Sequence, residues 1–174
     1  MTDHVVLVDE ADRELGTADK LEVHRDGRLH RAVSVFLFDE RGRWLLQRRA
    51  ADKYHSPGLW SNAACTHPRL GEAPAQAASR RLDEEMGVRC LLQPAFARVY
   101  RAELDGPEPL VEHELDHVFV GRFDGVPVPA PAEVASWEWV EGDVLRADLG
   151  ERPERYTPWF RLFRDDVERA ADDL

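Results

Sequence analysis

SNAACTHPRLGEAPAQAASRRLDEEMGV, residues 61–88, is the stretch from which the rest of the chain is read. Its second half predicts a helix over 74–86: good helix formers, Pro74 in the first turn where a missing N–H is harmless, and Gly87 just past the end. Ala75, Ala78, Leu82 and Met86 supply an apolar stripe. Arg80 and Glu84 stand one turn apart, as do Arg81 and Glu85, and taken alone these are surface ion pairs worth about 0.3–0.5 kcal/mol each. The first half sets Cys65 and His67 one residue apart and places a Gly71-Glu72 turn before the helix. Thiol, imidazole, carboxylate and guanidinium groups are therefore concentrated in one loop and the helix it feeds.

Upstream, RAVSVFLF (31–38) and WLLQ (44–47) are apolar, β-branched or aromatic runs separated by Asp39-Glu40-Arg41-Gly42, which predicts a hairpin of central strands. The second run leads into Arg48-Arg49-Ala50-Ala51-Asp52-Lys53, a basic strand end of the kind from which ligand loops emerge. Nearer the start, Val5 to Val8 is a short apolar run, Gly16 closes a polar turn, and Thr17 or Asp19 can cap a short helix through Lys20 to His24. His24 and His30 flank the turn-forming Arg25 to Arg28, so no single helix face presents both; if they act together, a loop brings them together.

Downstream, 88–92 and 97–103 predict strands, followed by an Asp105-Gly106-Pro107 turn. VEHELDHVFV (111–120) alternates: Glu112, Glu114, Asp116, Val118 and Val120 share one face, and Val111, His113, Leu115, His117 and Phe119 the other. One face thus begins acidic and ends apolar, which is unfavourable unless cations sit against the carboxylates. A proline-punctuated connection (126–131), a strand (137–140), a short helix (141–149) and an amphipathic closing helix (158–171) with Phe160, Phe163 and Val167 inward complete the chain. This order predicts a single α/β (α+β) layered domain over 1–174, a mixed β-sheet covered by helices, with an N-terminal extension over about 1–30 and a closing helix over about 158–171.

A chain of 174 residues and 19.9 kDa can bury roughly two thirds of its unfolded surface in one core without covalent staples. No apolar run of membrane-spanning length and no secretory leader is readable, and the two cysteines, Cys65 and Cys90, suit a reducing compartment; a cytoplasmic protein with free thiols is expected. The net charge of -11 argues against a nucleic-acid partner. It leaves room for a small anion where cations are gathered locally or a divalent metal supplies positive charge.

Gly71-Glu72, Arg80, Leu82, Glu84-Glu85 and Gly87-Val88 together resemble the Nudix box, whose helix glutamates hold magnesium on a diphosphate. Two positions depart from that box: Thr66 stands where its leading glycine is expected, and Arg81 where a glutamate should follow Arg80. The exchange removes part of the hydrolytic equipment and keeps the means of binding a diphosphate. Lys20 with His24, Leu29-His30-Arg31-Ala32, Arg48-Arg49, Trp60-Ser61-Asn62 leading to Cys65-Thr66-His67-Pro68, Glu112-His113-Glu114 and Thr157-Pro158-Trp159 are similar to the type 1 isopentenyl-diphosphate isomerases, a likeness that runs from about Val5 to Phe163.

That resemblance implies a metal site on His24, His30, His67, Glu112 and Glu114, donors suited to manganese, zinc or magnesium. It implies a second, magnesium ion on the diphosphate near Glu85 and the backbone carbonyl of Cys65, with Lys20, Arg49, Lys53 and Arg81 gripping the phosphates. Cys65 and Glu114 are implied as the proton-transfer pair, their division of roles left open, with Tyr100 as a relay and Trp159 over a developing carbocation. Without the resemblance, Cys65 beside His67 reads equally as a zinc ligand. The expected protein is a monomer that uses no flavin, touches neither nucleic acid nor membrane, and moves the double bond between isopentenyl and dimethylallyl diphosphate for isoprenoid synthesis. The alternatives are a Nudix hydrolase of a nucleoside diphosphate derivative and a catalytically silent, metal-stabilised binding domain.

Overall fold

The computed structural model describes residues 4–53, 55–104, 109–172 and 174; the expected turn at 105–107 lies outside them. Strand β3 (His30–Phe38) is buried along its whole length, as a near-continuous apolar run dictates, and the sheet is built on it. One edge pairs in parallel with β8 (Leu110–Arg122), from His30 opposite Glu114 to Phe38 opposite Arg122, and β8 in turn pairs antiparallel with β7 (Leu92–Leu104). The opposite edge is shared. β1 (His4–Val8) meets it at Leu7–His30, the short β6 (Ala64–Thr66) along Val33–Val35, and β4 (Trp44–Arg49) only at Phe38–Trp44. β2 (Glu14–Asp19) extends the sheet beyond β1, while β5 (Trp60–Ser61) and β9 (Val134–Val140) flank β4.

The expected hairpin therefore forms, but its strands part at once: β6 takes the edge of β3, and β4 turns to β5 and β9. Into the space between them falls the segment that carries Cys65 and His67.

Helix α2 (Pro74–Met86) covers one face, setting Ala77, Ala78, Leu82 and Met86 on Val33, Val35, Leu37 and Phe119. Ala75, expected inward, is exposed; Ala77 replaces it because the buried stripe also has to turn Glu85 inward. On the opposite face α4 (Pro158–Ala171) lays Trp159, Phe160, Phe163 and Val167 on Phe36, Phe38, Tyr100, Val118 and Val120, joined by Leu145 of α3 (Gly142–Glu151). Both helix layers and the mixed sheet agree with the expected fold class.

Two local expectations are corrected, and one left between two residues is decided. Gly16, expected to close a polar turn, lies inside β2; the side chains of this strand are largely exposed, so pairing with β1 and not burial defines it. Residues 88–91 are not a strand, because Val88 is buried as the anchor that follows the helix stop and the ladder begins only at Leu92. Of the two candidate caps for α1 (Lys20–Asp26), Asp19 is the one used: its carboxylate accepts from the amides of Leu21 at 3.0 Å and Glu22 at 3.2 Å. Among the described residues no helix is long and apolar enough to cross a membrane.

Candidate active site

Residues directly opposite on neighbouring strands project to the same face, so strand register assembles the site. It sets His30 beside Glu114, Tyr100 beside Glu114, and Ser34 beside Cys65. Helix α1, capped at Asp19 and stopped by Gly27 in the left-handed region, turns His24 fully inward. All these side chains, with His67 from the end of β6, line one cavity of about 360 Å³ or abut it.

His24, His30, His67, Glu112 and Glu114 offer one ligand atom each within 4.8 Å of one another. Nδ1 of His24 donates to the carbonyl of Lys20 at 2.7 Å and Nδ1 of His30 to that of Arg28 at 2.9 Å. Each of these rings therefore turns an Nε2 lone pair inward, as metal-ligating histidines held by backbone carbonyls do. Nε2 of His67 lies 3.2 Å from that of His30 and 3.0 Å from Oε1 of Glu114. Burial lowers the pKa of His24 and takes His67 down to about 3, which keeps both imidazoles neutral. Of the two carboxyl groups, Glu112 is pushed well up, first by burial and then by the charge of Glu114. Its Oε2, completely buried, makes no hydrogen bond. Converging lone pairs, crowded carboxylates and an orphaned buried oxygen are relieved together by a divalent cation, so these residues fit a metal of the imidazole- and carboxylate-binding kind.

Glu85 and Cys65 line the same cavity without joining that cluster. Both oxygens of Glu85 are engaged, Oε2 by Gln47 Nε2 and Oε1 by Arg81 Nε, each at 2.6 Å, leaving only further lone pairs for a second ion. The cations expected at the phosphates, Lys20, Arg49, Lys53 and Arg81, all line the cavity. Glu133 bridges two of them, ion-paired to both Lys53 and Arg81. Arg49 is held by the carbonyls of His55 and Ser56 at 3.2 Å and lies 5.5 Å from the centre of the Trp159 ring. Arg80 instead grips Glu72 through Nε at 2.7 Å and Nη2 at 2.9 Å, tying the Gly-Glu turn to the helix.

Cys65 sits where these two parts meet. Its sulfur is 3.2 Å from Asn62 Oδ1 and 3.6 Å from Ser34 Oγ, and burial, then the charges of Asp116 and Glu85, push the thiol up to about 12. Trp159 forms the wall, its indole N–H shared between Ser61 Oγ and Asn62 Oδ1 at 3.1 Å each. Tyr100 donates to Glu114 Oε2 at 2.7 Å. Every residue assigned from the sequence thus borders one cavity or belongs to the histidine–glutamate cluster beside it.

Sequence reasoning left out four neighbours. His55 stands edge-on to Trp159 at 5.9 Å with Nε2 3.5 Å from Glu112 Oε1, and burial followed by Arg49 takes its pKa down to about 2. Glu133 follows a proline-rich connection, which marks a loop and says nothing of its reach. Ser34 interrupts the apolar run 32–38 of β3, and Asp116 continues the acidic face of β8; both signals were visible without a role attached.

The NUDIX domain family matches residues 28–160. A curated relative from Aromatoleum aromaticum, Isopentenyl-diphosphate Delta-isomerase 1, is 55% identical over 96% of this chain and 93% of its own length. The Isopentenyl-diphosphate Delta-isomerase of Nocardia farcinica is 51% identical over 89% of each. Among solved structures, a Deinococcus radiodurans protein superposes with a TM-score of 0.71 at 21% identity, covering 86% of this chain and 90% of that one, a likeness of fold. A domain match over most of the chain and relatives half identical across nearly its full length are consistent with the geometry above: this chain belongs to the isopentenyl-diphosphate Delta-isomerases of the NUDIX family.

Proposed function

We propose that this protein interconverts isopentenyl diphosphate and dimethylallyl diphosphate by adding a proton to one carbon of the isoprenoid unit and removing one from another, through a tertiary carbocation. The observation that carries this reading is one cavity lined both by the cations Lys20, Arg49, Lys53 and Arg81 and by the proton-handling groups Cys65, Glu114 and Tyr100. The cations hold the diphosphate, so its binding energy fixes the hydrocarbon tail between the thiol and the carboxylate. An alkene is a very weak base, so protonation requires an acid pressed against it in a site closed to water. Cys65 and Glu114 fit the two places, one giving a proton to the terminal alkene carbon and the other taking one from the methylene that lies between the cationic carbon and the oxygen-bearing carbon. Each is then left in the opposite protonation state, and the Tyr100 hydroxyl on Glu114 offers a path for the proton to return. The face of Trp159 stabilises the cationic intermediate by about 2 kcal/mol when desolvated.

Metal dependence is part of the proposal. His24, His30, His67, Glu112 and Glu114 would hold manganese, zinc or magnesium, and Glu85 with the Cys65 carbonyl a magnesium on the diphosphate; when bound, these ions supply positive charge that fixes carboxylates and phosphates. One sheet with a helix layer on each face supports a single domain over 1–174, and a cavity of this size supports a small-molecule substrate. A cytoplasmic monomer independent of flavin, nucleic acid and membrane completes the reading.

Incubation with isopentenyl diphosphate and magnesium in deuterated water tests it. Dimethylallyl diphosphate carrying deuterium is expected; release of phosphate or pyrophosphate without isomer would place the activity with the hydrolases.

A further inference from the structure

We infer that Asp116, acting through Ser34, is a positioning residue that aims the Cys65 thiol into the cavity; the inference rests on the proton-transfer role of Cys65 proposed above. Asp116 is 1% exposed and stands outside the histidine–glutamate cluster. A buried carboxyl group is costly to retain, more so with one oxygen, Oδ1, lacking any hydrogen-bond partner. Its Oδ2 accepts the Ser34 hydroxyl at 2.6 Å, and Ser34 Oγ lies 3.6 Å from Cys65 Sγ.

A serine hydroxyl has one proton. With that proton given to Asp116, Ser34 turns only lone pairs toward the sulfur. The other neighbour of Sγ, Asn62 Oδ1, is also an acceptor, because Asn62 Nδ2 donates to the carbonyls of Val35 at 3.0 Å and Ala64 at 2.8 Å and so fixes the amide. That oxygen is crowded, already taking hydrogen bonds from Trp159 Nε1 at 3.1 Å and Ser61 Oγ at 3.0 Å. Ser34 is the less contested acceptor, and it is one only while Asp116 holds its proton. Freed from Asp116, the hydroxyl would donate to sulfur, reverse the hydrogen bond and turn the S–H elsewhere. Strand register enforces the chain of contacts: Ser34 lies opposite Cys65, and Ala32, one pleat away on the same face, lies opposite Asp116.

The test is steady-state kinetics on the full-length protein with isopentenyl diphosphate and magnesium, using Ser34→Ala, Ser34→Thr, Asp116→Ala and Cys65→Ala, with circular dichroism to score folding. Ser34→Ala and Asp116→Ala, which removes the acceptor, are expected to lower kcat about tenfold with KM within about twofold, and Ser34→Thr, which keeps the hydroxyl, to stay within about threefold of the parent kcat. In a Cys90→Ser background, the rate of Cys65 alkylation by iodoacetamide at fixed pH should change in the two Ala variants and not in the Thr variant. Parent kcat and alkylation in Ser34→Ala or in a folded Asp116→Ala, a Thr variant as impaired as Ser34→Ala, or a KM rise matching the kcat fall would each overturn the inference. If Asp116→Ala fails to fold, the two Ser34 variants decide. Full turnover in Cys65→Ala would remove the underlying reading of the thiol, whereas an inactive Cys65→Ala beside a fully active Ser34→Ala removes only the positioning role.

Discussion

The Tyr100 hydroxyl donates to Oε2 of Glu114 at 2.7 Å, while the other oxygen of that carboxylate faces His67 Nε2 at 3.0 Å and His30 Nε2 at 3.4 Å. The carboxylate is therefore divided, one oxygen toward the histidines and one toward the phenol. Tyr100→Phe keeps the ring that packs edge-on against Phe163 at 5.3 Å, so the fold should hold. We expect kcat to fall about 10- to 100-fold with KM and metal content unchanged, measured by kinetics alongside elemental analysis. Loss of metal in this variant would mean that the hydroxyl acts only by steadying a ligand.

Arg81 distinguishes this helix from the hydrolytic pattern, and it donates from Nε to Glu85 Oε1 at 2.6 Å while also pairing with Glu133. Arg81→Gln removes the charge and leaves Glu85 buried without its cation. Both losses should register: a KM for isopentenyl diphosphate raised about tenfold or more with a smaller change in kcat, and a stability loss of about 1.5–3 kcal/mol. An unchanged KM would exclude Arg81 from the phosphate grip.

The histidine–glutamate cluster predicts a stability that depends on metal. Dialysis against a chelator should lower Tm, and returning zinc or manganese at about a hundred times its Kd should restore about 2.7 kcal/mol. His67→Ala, which withdraws one donor from the set, should blunt that response. Thermal unfolding with and without added metal, on both proteins, measures it; an identical rise in the variant would argue against His67 as a ligand.

Legibility from sequence followed the strength of local signals. The helix over 74–86 was readable to the residue because Pro74 and Gly87 punctuate both ends, and β3 because a near-continuous apolar run admits little else. β2 was not, since an exposed strand such as Glu14–Asp19 carries no hydrophobic pattern and exists through its partner. Within the site, residues carried by a distinctive motif were placed by resemblance. Ser34, His55, Asp116 and Glu133 were missed because their roles come from register and from loop reach, which no local window contains. The acidic face of β8 lies between these cases: the alternation of Glu112, Glu114 and Asp116 was plain, but that it points into a buried site was settled by the parallel pairing with β3.

Asp39 supplies a pH dependence away from the site. It accepts from the amides of Arg41 at 2.9 Å and Arg43 at 2.8 Å and from Arg43 Nε at 2.6 Å, closing the turn between β3 and β4. Burial alone would raise its pKa, but the hydrogen bonds from Arg43 and Arg41 outweigh it and hold the carboxyl below its ordinary value. A depressed folded-state pKa means stabilisation that is complete above the unfolded value, near 3.8, and lost as pH falls through the folded one. Asp39→Asn should therefore cost about 1–2 kcal/mol at pH 7, with the difference from the parent shrinking below about pH 4. Urea unfolding of both proteins across that range checks it; a gap constant with pH would mean that the carboxylate charge plays no part.

Gly87 ends α2 with φ of 62°, and a Cβ there would lie 2.6 Å from the carbonyl oxygen of Val128. That carbonyl belongs to the 126–131 connection, whose Val128 and Ala130 amides donate to Met86 and Glu85 at 2.8 and 2.9 Å, so backbone and not a flexible side chain would have to yield. Gly71 is a matched control: its φ is 77°, but a Cβ there meets nothing within 4 Å. Gly71→Ala should cost only the left-handed conformation, about 1 kcal/mol, and Gly87→Ala that plus the steric displacement, about 2–4 kcal/mol in all. Because the displaced connection bonds the last turn, which carries Glu85, the second variant should also raise the KM for the diphosphate while the first leaves it alone. Equal losses in the two variants by urea unfolding would show that the connection moves freely and that the position of Glu85 does not depend on it.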